Sequence, residues 1–378
     1  MDPDAGVPAH FGAPVAEQRA LDAGDAVVSL AHQGIVTVSG PDRLSWLNSM
    51  TSQRLLGLAV GEPAETLLLG PNGRIEHALR VVDDGERTWL LVDAGSAGPL
   101  TAYLQRMRFA LRVDVEDVSE RFAAVLAFDG GRAVPELRDL GVVIVEWRDP
   151  WSEVAPGGVQ YAPAEHPGAG WRAIQLVVAR ADLARITARV HAGTIGVAGA
   201  MALDALEIRA ARPTQQHDVD DRAIPHEFDW LRTAVHLNKG CYRGQETVAK
   251  VHNLGHPPRR LSLLHLDGSS GALPAAGARV FLAESLPTTE DPAASSSGPG
   301  ATADARPVGR LTRSALHYEW GGIALALLKR SVPEDAELVV EMGEGETPVA
   351  AAQEVIVPAD AGATRRADIS ARFGGRRN

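Results

Sequence analysis

Short apolar blocks recur along the whole chain, and Gly, Pro, Asn and Asp punctuate them. Val27 to Ala31 and Ile35 to Ser39 read as strands, the second alternating Val and Ile with small polar residues. Gly40-Pro41-Asp42 interrupts, with proline suited to a first helical turn, and Leu44, Leu47 and Met50 follow at helical spacing. Thr66 to Leu69 and Arg74 to Val82 flank Pro71-Asn72-Gly73, a hairpin signal. Asp83-Asp84-Gly85 then turns the chain into Thr88 to Val92, which completes a three-stranded meander. A helix over Pro99 to Met107 precedes strands at Leu111 to Val115 and Phe122 to Phe128, a helical piece near Val134 to Leu140, and a strand at Val142 to Trp147. Pro150 to Gly170 has the composition of a connecting loop. Beyond it come a strand, Trp171 to Val178, and helices over Ala181 to His191 and Gly199 to Ala210, the first with Leu183, Ile186 and Val190 on one side.

After Pro257-Pro258 the pattern changes to evenly spaced short strands at Leu261 to Leu266, Ala278 to Leu282, Val308 to Thr312, Ile323 to Leu328, Glu337 to Met342 and Pro348 to Val355. Such spacing predicts a small antiparallel barrel. Strands interleaved with lone helices predict an α+β layer upstream of it rather than a doubly wound parallel sheet. The expected organisation is a flexible leader over 1–25, a body over 26–260 in two subdomains with 65–147 inserted, and a barrel over 261–357. A disordered excursion at 284–306 interrupts the barrel, because its Pro, Ser, Gly and Ala offer almost nothing to bury. A basic tail closes the chain over 358–378.

The 378 residues suffice for a well-buried core, and no apolar run approaches the ~18 residues of a membrane span. Met1 to Asp25 lacks the apolar segment of a secretory signal, and a single cysteine excludes an internal disulfide and any site built from several cysteines of one chain. Residence in the cytoplasm follows. A net charge of −11 argues against general nucleic-acid binding. Lys239, Arg243, Lys250, Arg259 and Arg260 nevertheless lie close together with only Glu246 among them, which predicts either a basic edge able to draw in a small polyanion or a solvated face. No Gly-x-Gly-x-x-Gly or phosphate-binding loop occurs, so nucleotide-binding readings lose support.

Candidate chemistry concentrates at Asn238-Lys239-Gly240-Cys241-Tyr242-Arg243-Gly244-Gln245-Glu246. Gly240 and Gly244 mark a tight turn, and Gln245 to Asn253 reads as a short helix stopped by Gly255. Cys241 thus precedes a helix N-terminus and is flanked by Lys239 and Arg243, an environment that favours thiolate over thiol. The alternative is a structural cysteine buried in the turn. His226, His236 and His252 are near enough in sequence to make a Cys-His pair conceivable, but no metal-type histidine spacing is present.

Lys239-Gly-Cys-Tyr-Arg-Gly-Gln-Glu resembles the signature of the YgfZ family, folate-binding proteins related to the glycine cleavage aminomethyltransferase (T-protein). Ile35 to Leu55, Gly70-Pro-Asn-Gly-Arg-Ile, Ile224-Pro-His-Glu and Val308-Gly-Arg-Leu-Thr-Arg-Ser resemble further family elements in the same order. The resemblance implies a body like those proteins with a C-terminal barrel, a tetrahydrofolate site, and work in iron–sulfur cluster assembly or repair for client proteins, including tRNA-modifying enzymes. It places Cys241, Lys239 and Arg243 at the working centre, and Thr51, Gln245, Glu246 and Arg209 beside the folate. Two departures stand out. Relatives resemble Thr-Asn-Asp where this chain has Thr51-Ser52-Gln53, and Leu-Arg-Ile-Glu-Ala-Gly where it has Leu206-Glu207-Ile208-Arg209-Ala210-Ala211, so that the two charges are exchanged.

Three functions therefore compete: a folate-binding accessory factor for iron–sulfur proteins, a tetrahydrofolate-dependent aminomethyl or one-carbon transferase, and an enzyme with Cys241 as nucleophile and His226 or His252 as base. The second needs a placed carboxylate. Asp93 is the candidate, with a surface turn as its plainer identity.

Overall fold

The apolar blocks assemble into two five-stranded sheets and a closed barrel. The computed structural model describes residues 6–163, 165–268, 271–286, 305–343 and 346–364. In chain order the body contains α1 (Pro14–Asp22), β1 (Ala26–Leu30), β2 (Gly34–Ser39), α2 (Arg43–Met50), β3 (Pro63–Leu69), β4 (Ile75–Asp83), β5 (Arg87–Val92), α3 (Ala97–Met107) and β6 (Asp114–Asp117). It continues with β7 (Phe122–Phe128), α4 (Ala133–Asp139), β8 (Val143–Arg148), β9 (Ala173–Ala179), α5 (Leu183–His191), β10 (Gly196–Ala198), α6 (Ala200–Arg209), the single turn α7 (Gln215–Asp218) and α8 (Gln245–Leu254). The barrel follows as β11 (Arg259–Leu266), β12 (Arg279–Leu282), β13 (Gly309–His317), β14 (Gly321–Lys329), β15 (Leu338–Val340) and β16 (Val349–Val355).

The first sheet has the order β10-β1-β7-β9-β8, with β1 and β10 parallel and the other neighbours antiparallel. The second has the order β3-β4-β5-β2-β6 and is antiparallel throughout. β7 and β9 read as nearly continuous apolar runs because both of their faces are covered. Ala133, Val134 and Leu137 of α4 and Ile186 of α5 cover one face. On the other, Trp147, Trp171 and Leu206 join Ile35, Leu67 and Leu91 of the second sheet and Leu263 and Leu325 of the barrel in one shared core. Burial of each such side chain is worth roughly 1.5–3 kcal/mol, so the three units hold one another in place. The indole N–H groups of Trp147 and Trp151 donate across these seams to the carbonyls of Ala64 and Ala210, at 2.8 and 2.9 Å.

The α+β architecture with a small C-terminal antiparallel barrel is therefore as the sequence pattern predicts, with three corrections. The leader is not loose beyond residue 13: α1 buries Glu17, Gln18 and Leu21. The basic edge does not form, since Arg259 is paired with Asp220 and Glu227, and Arg260 is fully buried on Ser262 and Gln353. The strand expected at Leu111 to Val115 starts later and runs from Asp114 to Asp117. Of the expected excursion, residues 287–304 lie outside the described residues, as do residues 1–5 of the leader and 365–378 of the tail. Among the described residues no helix is long and apolar enough to cross a membrane.

Candidate functional site

Two regions carry chemistry. The first is the loop around Cys241. Lys239 Nζ donates to the carbonyls of Asn48, Thr51 and Gln53 at 2.5, 2.5 and 2.7 Å. These carbonyls lie at or just beyond the C-terminal end of α2, where unpaired acceptors and the negative pole of the helix collect. Burial pulls the Lys239 ammonium down to about 8. Its charge also lies 5.2 Å from the ring of Tyr242. Arg243 is spent on Glu76 at 3.0 Å and on the hydroxyl of Tyr103 at 3.2 Å. Gly244 sits at φ 84°, where a Cβ would stand 2.6 Å from the Gly70 carbonyl, so the loop lies flat on the β3–β4 turn. The Gln245 side chain accepts from the Tyr242 amide at 3.2 Å, while Glu246 is exposed in the first turn of α8.

Most of the motif thus fastens the loop to the second sheet, and Cys241 is left exposed at its apex. That excludes the buried structural cysteine. The two cations expected to polarise the sulfur instead have partners of their own. The two candidate bases have partners other than Cys241: His226 is fully buried with Nε2 on the Val248 carbonyl at 3.0 Å, and Nδ1 of His252 meets the Tyr161 hydroxyl at 2.9 Å. Burial drives the His226 imidazole down to about 3.

The second region is a cleft where both sheets meet α6. Counted out to its open mouth it holds about 480 Å³, and only about 40 Å³ of that is wide enough to take the centre of a water molecule. Arg80 from β4, Gln175 from β9, Glu207 from α6, and Asp93, Gln33 and Gln216 from connecting segments all line it. Asp93 is buried, not on a surface turn as the sequence suggested. Its carboxylate takes the Arg80 guanidinium at 2.8 Å and the Gln216 amide at 2.9 Å. Burial alone would raise its pKa, but Arg80 and the amide outweigh that and hold it below the usual carboxylate value. Four buried polar atoms have no hydrogen-bond partner: Gln33 Oε1, Arg80 Nη1, Gln175 Oε1 and Gln216 Nε2. Two accept and two donate, and such atoms are costly unless something meets them.

The exchanged charges on α6 have a geometric meaning. Positions two apart on a helix point about 200° apart, so Glu207 faces the cleft and Arg209 does not. Glu207 is held by Arg313 of the barrel, which also reaches Asp218, whereas Arg209 makes a two-pronged pair with Asp22 at 2.7 Å. Thr51 is buried with its hydroxyl on the Leu47 carbonyl. None of Thr51, Gln245, Glu246 or Arg209 lines the cleft. Arg80, Gln175 and Gln216 were missed in the sequence. A signal existed for the first two, each being a polar residue set within a local apolar run of an interior strand, Ala-Leu-Arg-Val-Val and Ala-Ile-Gln-Leu-Val.

Residues 7–239 match the GCVT N-terminal domain family. The chain belongs to that family. Its matched stretch includes the whole cleft and stops short of Cys241. The chain is similar to an aminomethyltransferase of Symbiobacterium thermophilum, 26% identical over 68% of this chain and 71% of that protein. It is also similar to the aminomethyltransferase of Thermus thermophilus, 27% identical over 59% and 65% of the two chains. A mitochondrial iron–sulfur cluster assembly factor homolog of Mycosarcoma maydis is 25% identical over 62% of this chain and 56% of its own. Among solved structures, the glycine cleavage system aminomethyltransferase T of Bartonella henselae superposes with a TM-score of 0.68 over 93% of this chain and 91% of that one, at 16% identity. That likeness concerns the fold.

Proposed function

We propose that the cleft holds a reduced folate and that the chain acts on the one-carbon unit it carries, in the manner of the aminomethyltransferases it is similar to. The observation that carries this reading is Asp93, a buried and ionised carboxylate among four unpartnered polar atoms. When bound, tetrahydrofolate supplies the nitrogens that carry the one-carbon unit. Gln33 and Gln175 would accept from the donor edge of the pterin, and Arg80 and Gln216 would donate to its acceptors. Asp93, kept anionic by Arg80, stabilises positive charge beside it and does not deliver a proton at neutral pH. Calorimetry with tetrahydrofolate tests this. The native chain should bind, and Asp93→Asn should bind about tenfold or more weakly, since a charge-assisted contact is lost. No heat with the native chain removes the reading.

A second reading is favoured by a separate observation, the exposed sulfur on a clamped loop outside the cleft. In it the chain is a YgfZ-type factor of the cytoplasm in which Cys241, positioned by Lys239 and Arg243, serves iron–sulfur client or assembly proteins. One sulfur supplies one corner of a site shared with a partner. Among the described residues no group of three or more His, Cys, Asp or Glu is placed to hold a metal ion. Cys241→Ala separates the readings: unchanged folate binding with lost activity of cluster-dependent enzymes in cells supports the accessory role, and full activity of those enzymes removes the cysteine from it.

A further inference from the structure

We propose that residues 6–13 form a strap that closes the cleft, latched by Glu17, and that a ligand reaches the cleft only when this strap lifts. The inference rests on the folate reading for its ligand but not for its motion.

Only about 40 Å³ of the cleft is wide enough to take the centre of a water molecule, so as it stands it admits a few waters and not a two-ring heterocycle. Some part of the wall must therefore move. Most of the wall is fixed: β1, β4 and β9 are paired strands in the sheets, and α6 is pinned through Glu207 to Arg313. Besides these elements and the connecting segments that carry Gln33, Asp93 and Gln216, the wall includes the segment before α1. Val7 lines the cleft, yet residues 6–13 contain no helix or strand, and Pro8 to Ala13 are exposed, Phe11 by 52%.

Its attachment is specific. The carbonyls of Pro8 and Ala9 accept from the amides of Ala200 and Met201 at 3.0 and 3.1 Å, which closes the first turn of α6. The buried carboxylate of Glu17 gathers three amides, those of Phe11 at 2.8 Å and of Ala13 and Gly199 at 3.0 Å. Glu17 therefore binds the strap and the start of α6 at once. Gly199 permits the close approach, because a Cβ there would stand 2.2 Å from the Ala9 carbonyl oxygen. The helix so capped carries Leu203, Asp204 and Glu207 into the same cleft. Lifting the strap would uncover the cleft and free the first amides of α6 together.

Two variants unlatch the strap without touching the cleft's polar groups: Gly199→Ala, which displaces the Ala9 carbonyl, and Glu17→Ala, which removes the common acceptor. Access is read by a route that needs no folate. Ser29 lines the cleft. With Ser29→Cys in a Cys241→Ser background, N-ethylmaleimide should label the thiol about tenfold or more faster in either unlatched protein, in proportion to the open fraction. In parallel, tetrahydrofolate association by stopped flow should accelerate similarly. Equal labelling rates in latched and unlatched chains that keep the native circular dichroism overturn the strap. Accelerated labelling without any folate binding upholds the strap and overturns the folate reading instead.

Discussion

The cleft and the cysteine loop solve opposite problems with the same residue types. In the cleft, a charge pair is buried among polar atoms that nothing in the chain satisfies, so the site is built around an absent partner. In the loop, each flanking side chain is satisfied and the one reactive atom is left in solvent. Placement of a cation near a cysteine in sequence thus says little about which of them does chemistry. Lys239 and Arg243 spend their charge on α2 carbonyls and on Glu76, and they act on Cys241 by fixing where it stands.

That contrast predicts a graded set of responses. The largest belongs to Arg313, which closes the cleft wall by neutralising Glu207 and Asp218 from the barrel side. Arg313→Met should cost about 3–5 kcal/mol in urea unfolding, since breaking a buried ion network strands its carboxylates. A loss below about 1 kcal/mol would mean that water already reaches the network. Next comes the clamp of the loop: Lys239→Met leaves three carbonyls facing each other without a donor and should cost about 1–3 kcal/mol, while Gly244→Ala should cost a similar amount through strain at positive φ.

Titration gives a finer test, because the two regions respond in separate pH windows. Asp93 has a folded pKa below its unfolded value, so its contribution is present above the unfolded value of 3.8 and is lost as pH falls through the folded one. Lys239 is also depressed, to about 8 from 10.5, so the unfolded chain binds more protons between those values and stability rises with pH across that window. Unfolding free energies should therefore show a shallower acid slope in Asp93→Asn and a shallower slope between about pH 8 and 10.5 in Lys239→Met, each variant keeping the other's. The smallest effect is expected of Cys241→Ser, within about 0.5 kcal/mol, as befits an exposed side chain whose neighbours hold the loop without it.

The sheets, the hairpin at Pro71-Asn72-Gly73 and the barrel strands were legible because each rests on local pattern: apolar alternation, turn chemistry and even spacing. α1 was not, since its small hydrophobic content hides that Glu17 and Leu21 are buried by α6 and β10, contacts distant in sequence. The cysteine motif was visible as a motif, but its division into fasteners and one presented atom depends on Asn48, Glu76 and Tyr103, which no spacing rule connects to it. The cleft was the least legible. Asp93 looked like a turn residue because only the fold brings Arg80 and Gln216 to it, and Arg209 looked like a ligand contact because helix phase, not residue type, decides that Glu207 faces inward.

β1 and β2 are separated by only Ala31, His32 and Gln33, yet they belong to different sheets, β1 beside β7 and β2 between β5 and β6. The two sheets also bury their inner faces in one core, Ile35, Leu67 and Leu91 with Phe128 and Val177, so the body should melt as a single cooperative unit. No cut between the sheets would yield two autonomous fragments.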